Sequence, residues 1–142
     1  MKNFGEKGFT LIELLVVISI IGLLSSIVLV SLAGARNRAK DSRISASMGQ
    51  MRNVSEVYLG NSSSYSGLCA TADVILLRDD ICAQKGQTAG CGTPHWECYD
   101  ATGDFCAKSQ LNSGNWWCAD SALKSQQYSS NPVCSSTARR CQ

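Results

Sequence analysis

The sequence predicts an α+β fold: a long N-terminal helix, apolar in its first half and amphipathic in its second, packed on a small disulfide-stapled antiparallel β-sheet. Three observations support this prediction. Residues 9–32 form one apolar run, and residues 44–58 carry apolar side chains at helical spacing. All eight cysteines lie after residue 60, among short segments that contain aromatic residues.

The helix is predicted to run from about Thr10 to about Leu59. At 1.5 Å rise per residue the apolar run is about 36 Å long, enough to cross a hydrocarbon layer of roughly 30 Å. No proline precedes Pro94, and Gly60-Asn61 provides a stop signal. The stripe of the second half recurs at steps of three and four and is expected to hold the remaining domain onto the helix: Ile44, Met48, Met51, Val54 or Ser55, and Tyr58.

The remaining chain predicts one further helix and a sheet. Residues 73–82 suit a buried strand or a short helix, and an N-cap at Thr71 or Asp73 favours the helix. Three short runs with aromatic residues, separated by turn-forming loops, predict strands joined in hairpins: residues 96–99, 104–108 and 115–119. The three tryptophans are interpreted as sheet core. The polar tail, residues 125–142, is expected to be loose unless Cys134 and Cys141 tie it down.

The cysteines predict an exported, oxidised domain, because a small domain with little apolar core needs covalent support. A metal site is disfavoured, since no two cysteines have C-x2-C spacing and His95 is the single histidine. Eight cysteines permit 105 pairings; Cys98 with Cys106 is one candidate, because a three-residue hairpin loop would place them opposite each other. The disulfide candidates are Cys69, Cys82, Cys91, Cys98, Cys106, Cys118, Cys134 and Cys141.

Charge and motif content argue against catalysis and against nucleic acid as the main partner. The net charge is +2 and the pI about 8.1, so there is no strong basic field. A lone His95 supplies no Ser-His-Asp set, and no phosphate loop or dinucleotide fingerprint is present. The sequence therefore predicts a protein that is not an enzyme and that carries no cofactor and no metal.

Glu13 is the one acid inside the apolar run. A carboxylate near the start of a membrane helix costs a few kcal/mol unless it is paired or protonated. No cation stands within helical reach on the apolar side, and Lys7 lies at the border of the run. Retaining an unpaired charge there is expensive, so Glu13 predicts a partner from outside the chain.

The stretch from Lys7 to Leu15, KGFTLIELL, resembles the class III leader of type IV pilins and type II secretion pseudopilins. The resemblance implies a pilin fold and cleavage by a prepilin peptidase between Gly8 and Phe9. It also implies methylation of the new Phe9 amino group and pairing of Glu13 with the Phe9 ammonium of a neighbouring subunit. Many major pilins carry a proline where this chain has Val30, which leaves a pseudopilin or minor pilin open.

The resemblance also implies an organisation for the chain. Residues 1–8 would be the leader, 9–35 the transmembrane and filament-core helix, 36–60 the amphipathic half of the helix, and 61–142 the cysteine-rich domain. A Cys118–Cys134 bridge would resemble the C-terminal disulfide loop of many pilins.

Partners and location follow from the same resemblance. The partners would be other copies of the chain, the prepilin peptidase, the assembly machinery of the cytoplasmic membrane, and membrane lipid before assembly. The protein would stand in the bacterial cytoplasmic membrane as a single-pass subunit. It would later form an extracellular pilus or a periplasmic pseudopilus.

Three alternatives remain at the level of sequence, and one of them is a monotopic membrane protein that never polymerises. Another is a pseudopilin of a type II secretion or DNA-uptake system. The third is a secreted disulfide-rich binding module released by signal peptidase after Ala35, since Ala33-Gly34-Ala35 resembles a small-residue cleavage site. The basic cluster after the run would by itself place the C-terminal domain in the cytoplasm: Arg36, Arg38, Lys40 and Arg43. The cysteines predict the opposite orientation.

Overall fold

The computed structural model describes residues 8–88, 90–93 and 95–142. The chain divides into two structural units, with the boundary between Arg36 and Asn37. Of the expected leader, only Gly8 belongs to the described residues.

Helix α1, Leu11–Ser62, contains 52 residues and confirms the predicted long helix. Its end follows from the sequence Gly60-Asn61-Ser62: the next residue, Ser63, adopts φ 55°, and its N–H donates to the carbonyl of Leu59 at 2.8 Å. In the unit that begins at Asn37, one stripe of α1 is buried, as its spacing predicted: Ile44, Ser47, Met48, Met51 and Ser55.

A second helix, α2, covers Ala72–Gln84 and follows a short 3-10 turn at Leu68–Ala70. The helical interpretation of this segment is confirmed, and Thr71 is the N-cap, accepting a hydrogen bond from the Val74 N–H. Val74, Ile81 and Cys82 are the buried residues of α2.

Four antiparallel strands in sequence order form the sheet: β1 Glu97–Asp100, β2 Phe105–Gln110, β3 Trp116–Asp120 and β4 Ser125–Tyr128. The three aromatic runs form β1 to β3, as predicted. Strand β4 was not expected, because its sequence SQQY has no apolar alternation. Its place is set by the preceding turn, in which the Asp120 carboxylate accepts the N–H groups of Ala122 and Lys124 at 3.0 and 3.1 Å.

Alternation along the strands gives the sheet two different faces. Phe105, Ala107 and Ala119 point to the main core, where they meet the buried stripe of α1. Phe105 packs against Tyr65 with the ring centroids 5.1 Å apart. The opposite side of the sheet is the outer face, which carries Cys106 and Cys118. These two residues cluster with Cys134 and Cys141 of the tail. The sheet therefore packs against α1 on one side and is bridged to the tail on the other, as the predicted α+β architecture requires.

The tryptophans are divided between these faces. Trp96 is buried in the main core and Trp117 packs against it. Trp116 is buried on the outer face, below the ammonium group of Lys108. Trp96 and Trp116 are buried, as the interpretation of the tryptophans as core predicts, although Trp96 precedes β1. Trp117 is half-buried.

The eight cysteines form four disulfides: Cys69–Cys98, Cys82–Cys91, Cys106–Cys134 and Cys118–Cys141. The expected Cys98–Cys106 bridge is wrong. The loop of the first hairpin has one residue more than the three assumed, so Cys98 faces Ala107 in the register and Cys106 lies on the other face.

The expected Cys118–Cys134 bridge is also wrong, because two half-cystines of the outer face lie on neighbouring strands and the tail passes both. Cys134 reaches Cys106 on β2, and Cys141 reaches Cys118 on β3. The Cys141 N–H also donates to the Asp120 carboxylate at 2.8 Å. The tail is thus fixed through both of its cysteines, and each bridge contributes about 2–4 kcal/mol in domains of this kind.

Candidate functional site

The residues that begin α1 form a reciprocal hydrogen-bonded cap. Thr10 stands directly before the helix, and its N–H and hydroxyl donate to Glu13 Oε2 at 2.9 and 2.7 Å. In return the Glu13 N–H donates to Thr10 Oγ1 at 3.3 Å. This is the capping-box arrangement T-x-x-E, in which the two side chains each accept one backbone N–H that would otherwise lack a partner at the helix start.

The cap leaves half of the Glu13 carboxylate available. Both bonds from Thr10 go to Oε2, and within residues 8–142 as far as they are described, Oε1 accepts no hydrogen bond. No ion pair involves Glu13 in the same set of residues. Thr10 therefore positions the carboxylate, and no cation among the described residues 8–142 neutralises it, which suits a cation from another molecule.

Gly8 and Phe9 lie directly before the cap and are exposed. Phe9 has 77% of its surface open to solvent. No described atom lies within 4 Å of a Cβ added at Gly8. The junction between Gly8 and Phe9 is thus accessible from the described part of the chain, and Phe9 is four residues, or about one helical turn, from Glu13.

The first half of α1 is apolar on every side and unburied. An 18-residue window of this helix has a mean hydropathy of 2.8, and none of it is buried inside the chain. Among the described helices it is the one long and apolar enough to cross a membrane. Two of its serines, Ser19 and Ser26, donate to the carbonyls of Leu15 and Gly22 one turn earlier, which satisfies their hydroxyl groups without water.

The basic cluster that follows the apolar run forms an ion pair at only one of its four residues within the described part of the chain. Arg43 pairs with Asp80 of α2 at 2.6 Å, and Asp80 also accepts the Ser47 hydroxyl at 2.8 Å. Arg36, Arg38 and Lys40 are exposed and form no ion pair with any residue that the structure describes. Arg43 thus attaches α2 to α1, whereas the other three remain available to solvent.

The contact between Arg43 and Asp80 is pH-sensitive. Partial burial acts to raise the pKa of Asp80, but the hydrogen bonds from Arg43 and Ser47 and the charge of Arg43 outweigh it and lower the pKa. A lowered pKa in the folded state stabilises the protein above the ordinary Asp pKa, and this contribution is lost as the pH falls through the folded-state value.

We expect Asp80→Asn to lower the free energy of unfolding by about 1 kcal/mol at neutral pH, because the ion pair is partly exposed and one hydrogen bond weakens. The difference from the unsubstituted protein should vanish in acid, below the folded-state pKa of Asp80. Thermal unfolding followed by near-ultraviolet circular dichroism in detergent measures both effects. Glu56→Gln, at an exposed position of α1, is the control. A pH-independent loss would show that the charge of Asp80 is not the cause.

A second expectation concerns the cap. Thr10→Val removes the hydroxyl without changing the side-chain shape and should destabilise the first turn of α1 by about 1 kcal/mol. The amide proton of Glu13 should therefore exchange several-fold faster with solvent. Hydrogen exchange measured by NMR in detergent micelles reports this, and Thr10→Ser should restore protection. Unchanged exchange in the valine variant would mean that the cap does not form in solution.

Sequence reasoning identified Gly8, Phe9 and Glu13 but overlooked Thr10. The structure brings Thr10 and Glu13 together at the start of α1 and places Gly8 and Phe9 beside them. The signal for Thr10 was present, since T-x-x-E before an apolar run is a capping-box pattern. Thr10 supplies hydrogen bonds to Glu13 but no charge, so the pairing of Glu13 with a cation from another molecule stays a prediction.

The fold and this site define a class of protein. Its members have a small disulfide-linked domain and a membrane-type helix, with an exposed acid and an accessible peptide bond after a glycine at the helix start. Comparisons with known proteins agree with it. Residues 3–29 match the family model described as the prokaryotic N-terminal methylation motif. The N-terminal segment of the chain is therefore similar to that of type IV pilus proteins and of a type II secretion system protein.

Three relatives illustrate the similarity. The type IV wide pilus major component PilA4 of Thermus thermophilus is 42% identical over 66 residues, which is 46% of this chain and 49% of that protein. The type IV major fimbrial protein FimA of Dichelobacter nodosus is 43% identical over 59 residues, 42% of this chain and 37% of FimA. The type II secretion system core protein G of Klebsiella michiganensis is 31% identical over 65 residues, 46% of each chain.

The aligned part spans less than half the length of these relatives. No solved structure matches the chain. The cysteine-rich domain is therefore described from its own geometry.

Proposed function

We propose that the protein is a structural subunit of a type IV pilus-like filament and that it catalyses no reaction of its own. A prepilin peptidase cleaves it between Gly8 and Phe9, the Phe9 amino group is methylated, and the subunits polymerise through the first half of α1. The observation that carries the proposal is the Glu13 carboxylate, which is held by Thr10 and paired with no cation among the described residues, at the start of an exposed apolar helix segment.

The proposed assembly step is an electrostatic pairing between copies. Cleavage creates an ammonium group on Phe9, and Glu13 Oε1 of a neighbouring subunit accepts it. In surroundings with little water such a pair is weakly screened and correspondingly strong. Because the Phe9 amine precedes α1 and the Glu13 acid lies in its first turn, each subunit offers one contact to the next copy and another to the previous copy. Such a head-to-tail contact does not close, so it generates a filament.

The exposed apolar surface of α1 supports the same proposal. None of the described residues buries the apolar window of this helix. Before assembly, membrane lipid would cover it, with the subunit spanning the cytoplasmic membrane once. In the filament, the same segments of other copies would take the place of lipid. The assembly machinery of the membrane would drive that exchange.

A pseudopilin role is the second candidate, supported by the similarity to the type II secretion system core protein G. A pseudopilin would share the leader processing and the helix contacts proposed for a pilin. It would differ in the length of the fibre and in where the fibre forms. Immunogold electron microscopy of cells that express the chain with its peptidase and assembly machinery distinguishes them. Labelled surface fibres support a pilus, and labelled periplasmic fibres support a pseudopilus. Membrane-bound monomers alone would contradict both.

A further inference from the structure

The outer face of the sheet contains a buried lysine with unusual surroundings. The Lys108 side chain is only 8% exposed, and its Nζ lies 3.3 Å from Glu97 Oε2 and 5.5 Å from the centre of the Trp116 ring. Nζ also donates to Asn131 Oδ1 at 2.9 Å and to the Pro132 carbonyl at 3.3 Å. Lysine is rarely buried to this degree unless it is paired.

Three separate chain segments bring these groups together. Glu97 and Lys108 are direct partners in the register of β1 and β2, so their side chains share the outer face. Asn131 belongs to the tail and precedes Cys134, which is bridged to Cys106 on β2. The carboxamide is therefore brought to the amine by the same disulfide that fixes the tail.

We propose that Lys108 and Asn131 become joined by an intramolecular isopeptide bond, with Glu97 as the acid–base group. The proposal concerns the cysteine-rich domain and does not rest on the filament function. It assigns a self-modification site that would tie the tail covalently to the middle of the sheet.

The reaction balances within the three side chains. Glu97 takes one proton from the Lys108 ammonium, and the neutral amine attacks Asn131 Cγ to form a tetrahedral intermediate. Glu97 then gives this proton to the departing nitrogen and accepts the second proton of the amine as the bond from Cγ to Nδ2 breaks, so Glu97 ends the reaction protonated. The new bond joins Nζ to Cγ, the bond from Cγ to Nδ2 breaks, and one ammonia molecule leaves. No oxidant, reductant or co-reactant is required.

The geometry favours this step over simple ion pairing in two respects. Nζ lies within about 4 Å of Asn131 Cγ, since Oδ1 is one C=O bond away from that carbon. Glu97 accepts the Tyr99 hydroxyl at 3.2 Å, which holds its carboxylate beside Nζ.

The position of Asn131 suits a reacting carboxamide as well. The next residue is Pro132, whose nitrogen carries no hydrogen, so the usual ring closure of asparagine onto the following backbone N–H is blocked. Asn131 remains available for another nucleophile. It lies at the exposed rim of the cluster, which gives the released ammonia a path to solvent.

The intact mass of the purified native protein tests the proposal. We expect a mass lower, by one ammonia molecule, than that of the processed chain with four disulfides. After reduction and trypsin digestion, cleavage after Lys108 should be absent, and the peptide that contains Lys108 should remain linked to the peptide that contains Asn131. The full mass, together with normal cleavage after Lys108, would overturn the proposal and leave an ion pair only.

Three variants test whether the loss of ammonia comes from the bond between Lys108 and Asn131. Lys108→Arg retains a cation, Glu97→Gln removes the acid–base group, and Asn131→Ala removes the carboxamide at an exposed position where folding is least affected. Each should show the full mass. Lys124→Arg is the control, because Lys124 Nζ donates to the Cys141 carbonyl of the same tail and should leave the ammonia loss unchanged. An ammonia loss that persists in Asn131→Ala would also overturn the assignment.

Discussion

Glu13→Ala is expected to leave the protein in the membrane and to abolish fibre formation or reduce it to a small residue. The substitution removes the carboxylate that would receive the Phe9 ammonium of the next copy. It also removes a charge that opposes insertion into the hydrocarbon layer, so the anchor should be retained at least as well. Membrane fractionation measures the first effect, and quantitative shearing of surface fibres or electron microscopy measures the second.

Two controls identify the cause of the loss. Glu13→Gln keeps an oxygen that can accept the hydrogen bonds of Thr10, so it should preserve the cap and still fail to assemble. Glu56→Ala removes an exposed acid from the second half of the same helix and should assemble normally. Fibres at the unsubstituted level from Glu13→Gln would mean that the cap, not the charge, is what assembly requires.

Gly8→Val should block removal of the leader and therefore stop assembly at an earlier step. Within the described residues nothing lies near a Cβ at this position, so the valine does not disturb the fold. The effect would arise from the peptidase, which must accommodate the residue before the scissile bond. Mass spectrometry of the membrane-bound protein should find the unprocessed chain, with Phe9 still in peptide linkage and therefore unmethylated.

Gly22→Val is the matched substitution, because Gly22 lies in the same apolar run and also has open space around it. That variant should be processed normally. Efficient leader removal from Gly8→Val would mean that cleavage takes place at another bond.

Much of the fold followed from periodicity. The spacing of Ile44, Met48 and Met51 indicated the buried stripe, and the stop at Gly60-Asn61 gave the end of α1 to within a few residues. The polar strand β4 could not be found in this way. It exists because the buried Asp120 organises the turn before it and because β3 offers an open edge, and neither fact is visible in the residues of β4 itself.

The disulfide pairing was the feature that could least be predicted from the sequence. A single extra residue in the first hairpin loop turned Cys98 and Cys106 to opposite faces of the sheet. The path of the tail over the outer face then decided which cysteine met which strand. The loop length and the path of the tail both depend on long-range packing, so the spacing of the cysteines in the sequence does not predict the pairing.

The site was more predictable than the disulfides because its chemistry is local. Glu13 stood out as a charge in an apolar run, and Gly8 and Phe9 followed from the resemblance. Thr10 was missed because its role is a hydrogen bond to Glu13 and not a charge. The cluster of Lys108, Glu97 and Asn131 joins three distant segments, so only the folded chain reveals it.

The N-terminal residue of the native protein tests the filament hypothesis most directly. Edman degradation or tandem mass spectrometry of the purified mature chain should begin at Phe9, with a methyl group on its amino nitrogen. A chain that begins at Arg36 would instead identify a secreted module released after Ala35. Any first residue other than Phe9 would remove the cation that Glu13 is proposed to bind and would contradict the assembly mechanism.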